Sequence, residues 1–178
     1  DVIEDPNQRW SPAKVIYGDT DSAFIKFPNR DRKCAYDMAK DITGHVSDIN
    51  PAKVILKYEK VYQPCILHQK KRYVGYCYEE KDSKPHLDPV GIELVRRDSC
   101  PLVQKMQEKV LRILFIRRDL SEVKKYILRQ AKKILASRIR LEDYIFRKEI
   151  KTDAYKDPNR VPAAQIIANK LERDRKST

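Results

Sequence analysis

Two aspartates separated by a single residue are the groups in this sequence best suited to chemistry. They lie between two short apolar runs, 15–17 and 23–25, in the segment Tyr17-Gly18-Asp19-Thr20-Asp21-Ser22. Because side chains alternate along a strand, we expect Asp19 and Asp21 on one side of a hairpin tip. Two ionised carboxylates held that close repel each other by roughly a few kcal/mol, and a divalent cation relieves the repulsion. Hard oxygen ligands favour Mg²⁺ or Mn²⁺, so we predict a metal site, with a metal-free acidic turn as the alternative.

The elements around this hairpin make the first half of the chain rich in strands. Apolar residues at spacings of four, four and three predict one helix, closed by Asn50-Pro51, and they are Met38, Ile42, Val46 and Ile49. The segments 54–62, 64–68 and 72–78 are rich in β-branched and aromatic residues and predict successive strands of a sheet. The polar segment 79–89 is predicted to be a loop.

From Ser99 onward the apolar pattern becomes helical. One stripe begins after Ser99 as N-cap and Pro101 in the first turn, and comprises Val103, Met106, Val110 and Ile113. Asp119 and Glu122 resemble a capping box that opens a second helix. Its predicted apolar face is Val123, Ile127, Ala131, Ile134 and Leu135, and a third helix is expected over about 162–173.

These patterns together predict an α+β fold. An antiparallel sheet with a packed helix comes first, and a mostly helical segment follows. The change of pattern near Arg96 is the best candidate for a domain boundary, which gives one domain over 1–95 and a second over 96–178.

The net charge of +12 is unevenly distributed, since residues 1–60 contain ten basic and ten acidic side chains and the excess lies in 61–178. This asymmetry suggests a polyanion partner, most simply nucleic acid, although a merely solvated basic surface is the alternative. No apolar run approaches the ~18 residues that a membrane span needs, so no membrane partner is expected. The four cysteines form no CxxC pair, which argues against a zinc site. The first residue is Asp1, which suggests a chain cut from something longer.

The full segment from Tyr17 to Ser22 resembles motif C of the family B DNA polymerases. The resemblance implies that Asp19 and Asp21 are catalytic and bind Mg²⁺, with Mn²⁺ as a substitute. It also implies nucleotidyl transfer from a dNTP to a primer 3′-hydroxyl group by a two-metal mechanism. The segment 57–62 resembles the family's EKVY motif, so Glu59 is expected near the incoming triphosphate as a further metal ligand. A surface glutamate paired with lysine is the alternative for Glu59.

A basic segment further along is similar to the family's KKRY motif and comprises Lys70, Lys71, Arg72 and Tyr73. Physically, a strand that presents Lys71 and Tyr73 on one face could reach into the minor groove of a duplex. Every Watson–Crick pair has acceptors there at purine N3 and pyrimidine O2, so a lysine can test pair geometry without reading sequence. We therefore predict that these four residues bind primer–template DNA.

The segment 91–98 resembles the family's GIExVRRD sequence, where the palm domain passes into the thumb. Arg96 and Arg97 are expected to contact the primer–template backbone, and Asp98 to pair with one of them. A structural ion-pair cluster of Arg96, Arg97 and Asp98 is the alternative, and both could hold together.

The resemblance covers nearly the whole chain from about residue 14, and it implies the C-terminal part of a polymerase palm followed by the beginning of a thumb. It favours the translesion branch of the family over the replicative branch, a nuclear location, and accessory subunits that bind the protein outside this chain. The family's motif A aspartate and motif B helix do not occur in the sequence, so the chain alone is expected to be inactive. The alternatives are a non-catalytic basic nucleic-acid-binding domain, resting on charge alone, and an inactivated polymerase.

Overall fold

In the computed structural model of the chain, residues 3–51, 54–147, 161 and 163–176 are described. They confirm the predicted α+β class, with two small antiparallel sheets and four α-helices. The chain divides into two compact units after Ile92. The predicted single sheet is thus two separate sheets, and both belong to the first unit.

The first sheet and the first helix share one core. Strand β1 (Lys14–Asp19) pairs antiparallel with β2 (Ser22–Lys26), as predicted. Helix α1 (Arg32–Ile49) confirms the predicted helix and begins where the Asp31 carboxylate accepts a hydrogen bond from the Cys34 amide at 3.0 Å. The core consists of buried and half-buried residues from the amino-terminal segment, β2 and α1, namely Ile3, Trp10, Ala13, Ile25, Phe27, Met38, Ile42 and Val46. Ile49, predicted on this face, is exposed because α1 ends there.

The second sheet has the strand order β3-β4-β5, from β3 (Val61–Gln69), β4 (Arg72–Tyr78) and β5 (His86–Val90). The predicted loop over 79–89 is therefore wrong for its last part. Strand β5 contains Asp88 and Pro89, two residue types that are rare in strands. Pro89 is tolerated because β5 lies at the edge of the described sheet, where a missing amide proton breaks no ladder.

The predicted strand over 54–62 is also wrong for most of its length. The Leu56 amide donates to Ser47 Oγ at 3.0 Å, and Tyr58 Oη donates to the Tyr78 carbonyl at 3.2 Å. Segment 54–60 is therefore attached by single side chains and not by a ladder of backbone hydrogen bonds. The strand begins at Val61 and runs through Pro64 with an irregular register, so one strand replaces the two that were predicted.

The second unit is helical, as predicted, and contains α2 (Pro101–Arg117), α3 (Leu120–Leu135), a single 3-10 turn (Leu141–Tyr144) and α4 (Ala163–Lys176). Cys100 precedes the first turn of α2 in place of the predicted Ser99, because Pro101 takes the first helical position. The buried residues of α2 are Leu111 and Phe115, one turn apart and outside the predicted stripe.

Asp119 opens α3 as predicted, since its carboxylate accepts a hydrogen bond from the Ser121 amide at 2.7 Å. The capping box is one-sided, because the Glu122 carboxylate binds Arg117 at 2.6 Å. Of the predicted apolar face of α3, Val123, Ala131 and Ile134 are half-buried, whereas Ile127 and Leu135 are exposed. None of the described helices combines the length and the apolar character that a membrane span requires.

Candidate active site

The two predicted aspartates lie at the tip of the β1–β2 hairpin. Asp19 is the last residue of β1 and pairs with Ser22, so Thr20 and Asp21 form a two-residue turn. Thr20 has a positive φ of 54°, and the Asp21 amide donates to the Asp19 carbonyl at 2.6 Å. The expectation that strand alternation puts both side chains on one side is therefore wrong, because Asp21 is a turn residue. Tight turn geometry, and not a strand face, brings the two residues together.

A second tight turn joins β3 to β4 and contains Lys70 and Lys71. Gln69 pairs with Arg72 across the turn, and Lys71 has a positive φ of 59°. The prediction that Lys71 and Tyr73 share a strand face is therefore wrong, because Lys71 precedes the strand. Gly91 packs against this turn, where an added Cβ would lie 2.1 Å from the Lys71 carbonyl oxygen. Its own φ is +64°, so both space and backbone require glycine there.

The two turns are joined by Lys71. Its ammonium group lies 3.0 Å from Asp19 Oδ1, and its amide donates to Tyr17 Oη at 2.9 Å. The hydrogen bond with Lys71 lowers the pKa of Asp19, and smaller contributions from Tyr17 and Thr20 act in the same direction. The same hydrogen bond raises the pKa of Lys71, to which the charge of Asp21 also contributes. Both carboxylates therefore lie within electrostatic range of one ammonium group.

Four aromatic rings pack beneath the two turns. The Phe24 ring stacks on Tyr62 at 5.7 Å between centroids and meets Tyr73 edge-on at 5.0 Å. Tyr17 contacts both Phe24 and Tyr73. Because Tyr17 and Phe24 come from the first sheet and Tyr62 and Tyr73 from the second, this ring cluster holds one hairpin against the other.

A charged group missed by sequence reasoning lies beside the ring cluster. The Asp88 carboxylate accepts hydrogen bonds from Tyr62 Oη and from Lys60 Nζ, the latter at 2.7 Å. Burial works against ionisation of Asp88, but the hydrogen bonds from Lys60 and Tyr62 outweigh it and lower the pKa. Alternation in the predicted strand over 54–62 would place Lys60 and Tyr62 on one side, which is a signal in the sequence, although β3 itself begins at Val61. Asp88 could not be paired with them because its segment was predicted to be a loop.

The remaining residues of the KKRY segment differ in exposure. Lys70 is exposed at the tip of its turn. Arg72 is half-buried, and its Nε donates to the Gly91 carbonyl at 2.9 Å, which is a structural contact. Tyr73 is half-buried in the ring cluster, and burial raises its pKa.

In the second unit, Arg96 forms a bidentate ion pair with Asp98. Nε and Nη2 of Arg96 lie 2.9 Å and 2.7 Å from the two carboxylate oxygens. The expected pairing of Asp98 with one arginine is thus present, and it supports the structural alternative for Arg96. Arg97 is exposed and has no ion pair with another described residue, so its guanidinium group is accessible to a phosphate.

A basic groove of about 610 Å³ lies between α2 and α3. Its lining includes the less polar side chains of Ile113, Ile116 and Tyr126. Its basic lining comprises Lys109, Arg112, Arg117, Lys125 and Arg129. Sequence reasoning predicted the basic character of this half but not the groove, which depends on how two helices pack.

Comparison with known proteins decides the family. The model of DNA polymerase family B matches residues 2–178. This chain belongs to DNA polymerase family B.

It is 48% identical to the DNA polymerase zeta catalytic subunit of Drosophila melanogaster, over 94% of this chain and 8% of that protein. It is 44% identical to the DNA polymerase zeta catalytic subunit of Homo sapiens, over 96% of this chain and 6% of that protein. The DNA polymerase delta catalytic subunit of Plasmodium falciparum (isolate K1 / Thailand) is 34% identical, over 90% of this chain and 14% of that protein. The chain therefore spans only a small fraction of the length of these relatives.

Family B DNA polymerases use divalent metal ions, and the chemistry of the hairpin tip fits such an ion. Asp19 and Asp21 offer hard carboxylate oxygens from one tight turn, where Asp19 already binds a cation, the Lys71 ammonium group, at 3.0 Å. Among the described residues no three acidic, histidine or cysteine side chains come together as a metal site. Glu59 is exposed, and it does not complete a three-residue cluster with the two aspartates. Its role as a further ligand stays a prediction.

Proposed function

We propose that this chain is a segment of a DNA-directed DNA polymerase, which transfers a nucleotide from a dNTP to the 3′-hydroxyl group of a primer. One observation carries the proposal, namely the contact between Asp19 and Lys71 that joins the two hairpin turns. The contact places carboxylates that can bind a divalent metal ion beside a lysine that can bind DNA. Membership of DNA polymerase family B supports the same activity.

In this proposal Asp19 and Asp21 hold Mg²⁺ or Mn²⁺, with Glu59 as an additional ligand. When bound, such ions lower the charge on the attacking 3′ oxygen and on the leaving pyrophosphate. The contribution of the chain is to hold the carboxylates in place before substrate arrives. Lys71 restrains Asp19, and the tight turn restrains Asp21. Asp21 is the more accessible of the two, since it is exposed at the tip.

The cations around the site are assigned to primer–template DNA. Lys70 and Lys71 occupy a projecting turn, and the Lys71 side chain is 71% exposed despite its contact with Asp19. A lysine at that place can reach minor-groove acceptors, which occur on every base pair. Arg97 is assigned to the phosphate backbone, and Arg96 to the same surface through its fixed pair with Asp98. Arg72 and Tyr73 support the turn from below.

We assign residues 1–95 to the C-terminal part of a palm domain and residues 96–178 to the beginning of a thumb. The structural division after Ile92 lies close to the proposed boundary. We expect the isolated chain not to polymerise, because the motif A aspartate and the motif B helix are not in its sequence.

Translesion synthesis is the proposed role of the full-length protein. The support is that six zeta catalytic subunits are 38–48% identical to this chain, whereas two delta catalytic subunits are 34–35% identical. A translesion enzyme should extend a mismatched primer end on which a replicative enzyme stalls. A nuclear location and accessory subunits bound outside this chain belong to the same proposal.

The test is primer extension by the full-length protein with Asp21→Asn. Loss of one metal-binding charge should lower extension with Mg²⁺ by at least about 100-fold. The matched control is Asp48→Asn, which neutralises an exposed aspartate of α1 in the same unit and should leave extension unchanged. Full activity in Asp21→Asn would remove the assignment of the metal site. Tight DNA binding by a wild-type protein that extends no primer would favour the non-catalytic nucleic-acid-binding alternative.

A further inference from the structure

Asp88 lies on β5, outside both hairpin turns, yet its contacts lead to them. Its carboxylate is 22% exposed and is bound by Lys60 and Tyr62, which precede it by 28 and 26 residues. Both donors bind the same oxygen, Oδ2, and these hydrogen bonds offset the cost of removing most of this carboxylate from water. The pair of donors therefore fixes both the carboxylate and the Tyr62 side chain.

Gly75 makes this contact possible. In the ladder Gly75 of β4 pairs with Cys65 of β3 on one side and with Asp88 of β5 on the other. A Cβ at position 75 would lie 2.6 Å from Tyr62 Cδ1 and 2.8 Å from the Pro64 carbonyl oxygen. The absence of a side chain thus lets the ring of Tyr62 cross β4 and reach the neighbouring strand.

The ring of Tyr62 is in turn part of the ring cluster beneath the turns. It stacks nearly parallel on Phe24, with 13° between the planes, and meets Tyr73 edge-on. Phe24 and Tyr73 both contact Tyr17. Tyr17 Oη accepts the hydrogen bond from the Lys71 amide. A continuous set of contacts therefore runs from β5 to the backbone of the lysine that binds Asp19.

We propose that Asp88 is a positioning residue for the polymerase site, which holds Tyr62 so that the ring cluster fixes Lys71 for contact with DNA. The inference rests on the proposed function, because it presupposes that Lys71 contacts DNA. Asp88 itself touches neither DNA nor nucleotide. Its effect on DNA passes through Tyr62, the ring cluster and Lys71.

A merely structural role for Asp88 would lower stability without any link to Lys71. The two roles differ in a double-mutant cycle, because substitutions at distant sites without shared partners normally add. If Asp88 acts through Lys71, its substitution should matter only while Lys71 is present. The readout should be binding of primer–template DNA without metal or dNTP, so that it does not depend on catalysis.

The experiment uses the full-length protein with Asp88→Asn, Lys71→Ala and both together, and a fluorescent primer–template of mixed sequence. We expect each single substitution to weaken binding by about 3- to 10-fold, and the double variant to bind no more weakly than Lys71→Ala alone. Additive losses in the double variant would overturn the proposal.

Two further variants serve as controls. Tyr62→Phe keeps the ring but removes the hydroxyl group that Asp88 binds, so it should reproduce the effect of Asp88→Asn. Asp82→Asn breaks the exposed ion pair with Lys33 in the same unit and should leave DNA binding unchanged. If Asp88→Asn and Tyr62→Phe both unfold at the assay temperature, Asp88 holds the fold and the proposal is wrong. A wild-type protein that binds DNA but extends no primer would contradict the proposed function, while the cycle would still measure the energetic coupling between Asp88 and Lys71.

Discussion

At the scale of single residues, Lys71 is the side chain on which most of the candidate site depends. It neutralises Asp19 through a contact that remains largely exposed, so water and salt screen the interaction. The side chain can therefore exchange Asp19 for another acceptor at little cost. In the proposed function, a lysine whose backbone is fixed by Tyr17 and whose exposed ammonium group can leave Asp19 is suited to test base-pair geometry.

Lys71→Ala in the full-length protein should lower primer extension by about 10-fold, because one charged hydrogen bond to the duplex is lost. The loss should be nearly equal on all primer sequences, since minor-groove acceptors occur on every pair. Lys70→Ala is the matched control, because it removes the same charge from the same turn without a contact to Asp19. We expect it to lower extension by only about 2- to 3-fold. A strongly sequence-dependent loss for Lys71→Ala would show that minor-groove checking is the wrong account.

The chemically active residues could be identified from the sequence, but their geometry could not. The order Asp19, Glu59, Lys71 and Arg96 carries the family pattern, and residue type alone indicates metal and phosphate ligands. The contact between Asp19 and Lys71 joins residues 52 positions apart. Periodicity describes only near neighbours along the chain, so neither this contact nor the one between Tyr62 and Asp88 could be derived from it.

At the scale of elements, long periodic segments were predicted well and irregular ones poorly. Helix α1 and the pair β1 and β2 follow their apolar patterns closely. Strand β5 escaped prediction because Asp88 and Pro89 contradict strand propensity, whereas tertiary contacts with Lys60 and Tyr62 override it. Segment 54–60 has the composition of a strand, but it pairs with no other strand among the described residues. Composition indicates only a preference for the strand conformation, whereas backbone pairing also requires a neighbouring strand.

Gly75 gives a direct test of how β3 and β4 pack. Gly75→Ala should destabilise the first unit by about 1–3 kcal/mol, because the new methyl group would overlap Tyr62 and the rigid backbone at Pro64. Gly44→Ala in α1 is the matched control, since an added Cβ there meets nothing within 4 Å. It should stabilise the protein by about 0.5–1 kcal/mol, because alanine is the better helix residue. Chemical denaturation monitored by circular dichroism measures both changes, and equal effects of the two substitutions would contradict the packing described here.

At the scale of the whole chain, the charge asymmetry is the property that sequence alone describes completely. The excess of basic residues falls after residue 60, and the structure concentrates five of those residues along the groove between α2 and α3. Arg117 is paired with Glu122 and Arg112 with Glu108, whereas Lys109 and Lys125 have no ion pair with another described residue. The charges of these two lysines are therefore not neutralised by a described acidic side chain, so both are suited to bind a phosphate backbone.

Binding of duplex DNA by the 178-residue chain should consequently be governed by release of counterions. If the chain neutralises about six to ten phosphates, its affinity should fall by about 10³- to 10⁵-fold between 50 and 200 mM salt. Lys109→Gln with Lys125→Gln should reduce the slope of log K against log salt by about 2, because each phosphate contact contributes about 0.9. Lys14→Gln with Lys26→Gln removes the same charge from the electrically neutral first 60 residues and should leave the slope unchanged. Fluorescence anisotropy at a series of salt concentrations measures all three slopes. Equal slopes for the two double variants would mean that the groove lies away from the DNA and that the charge acts only as a diffuse field.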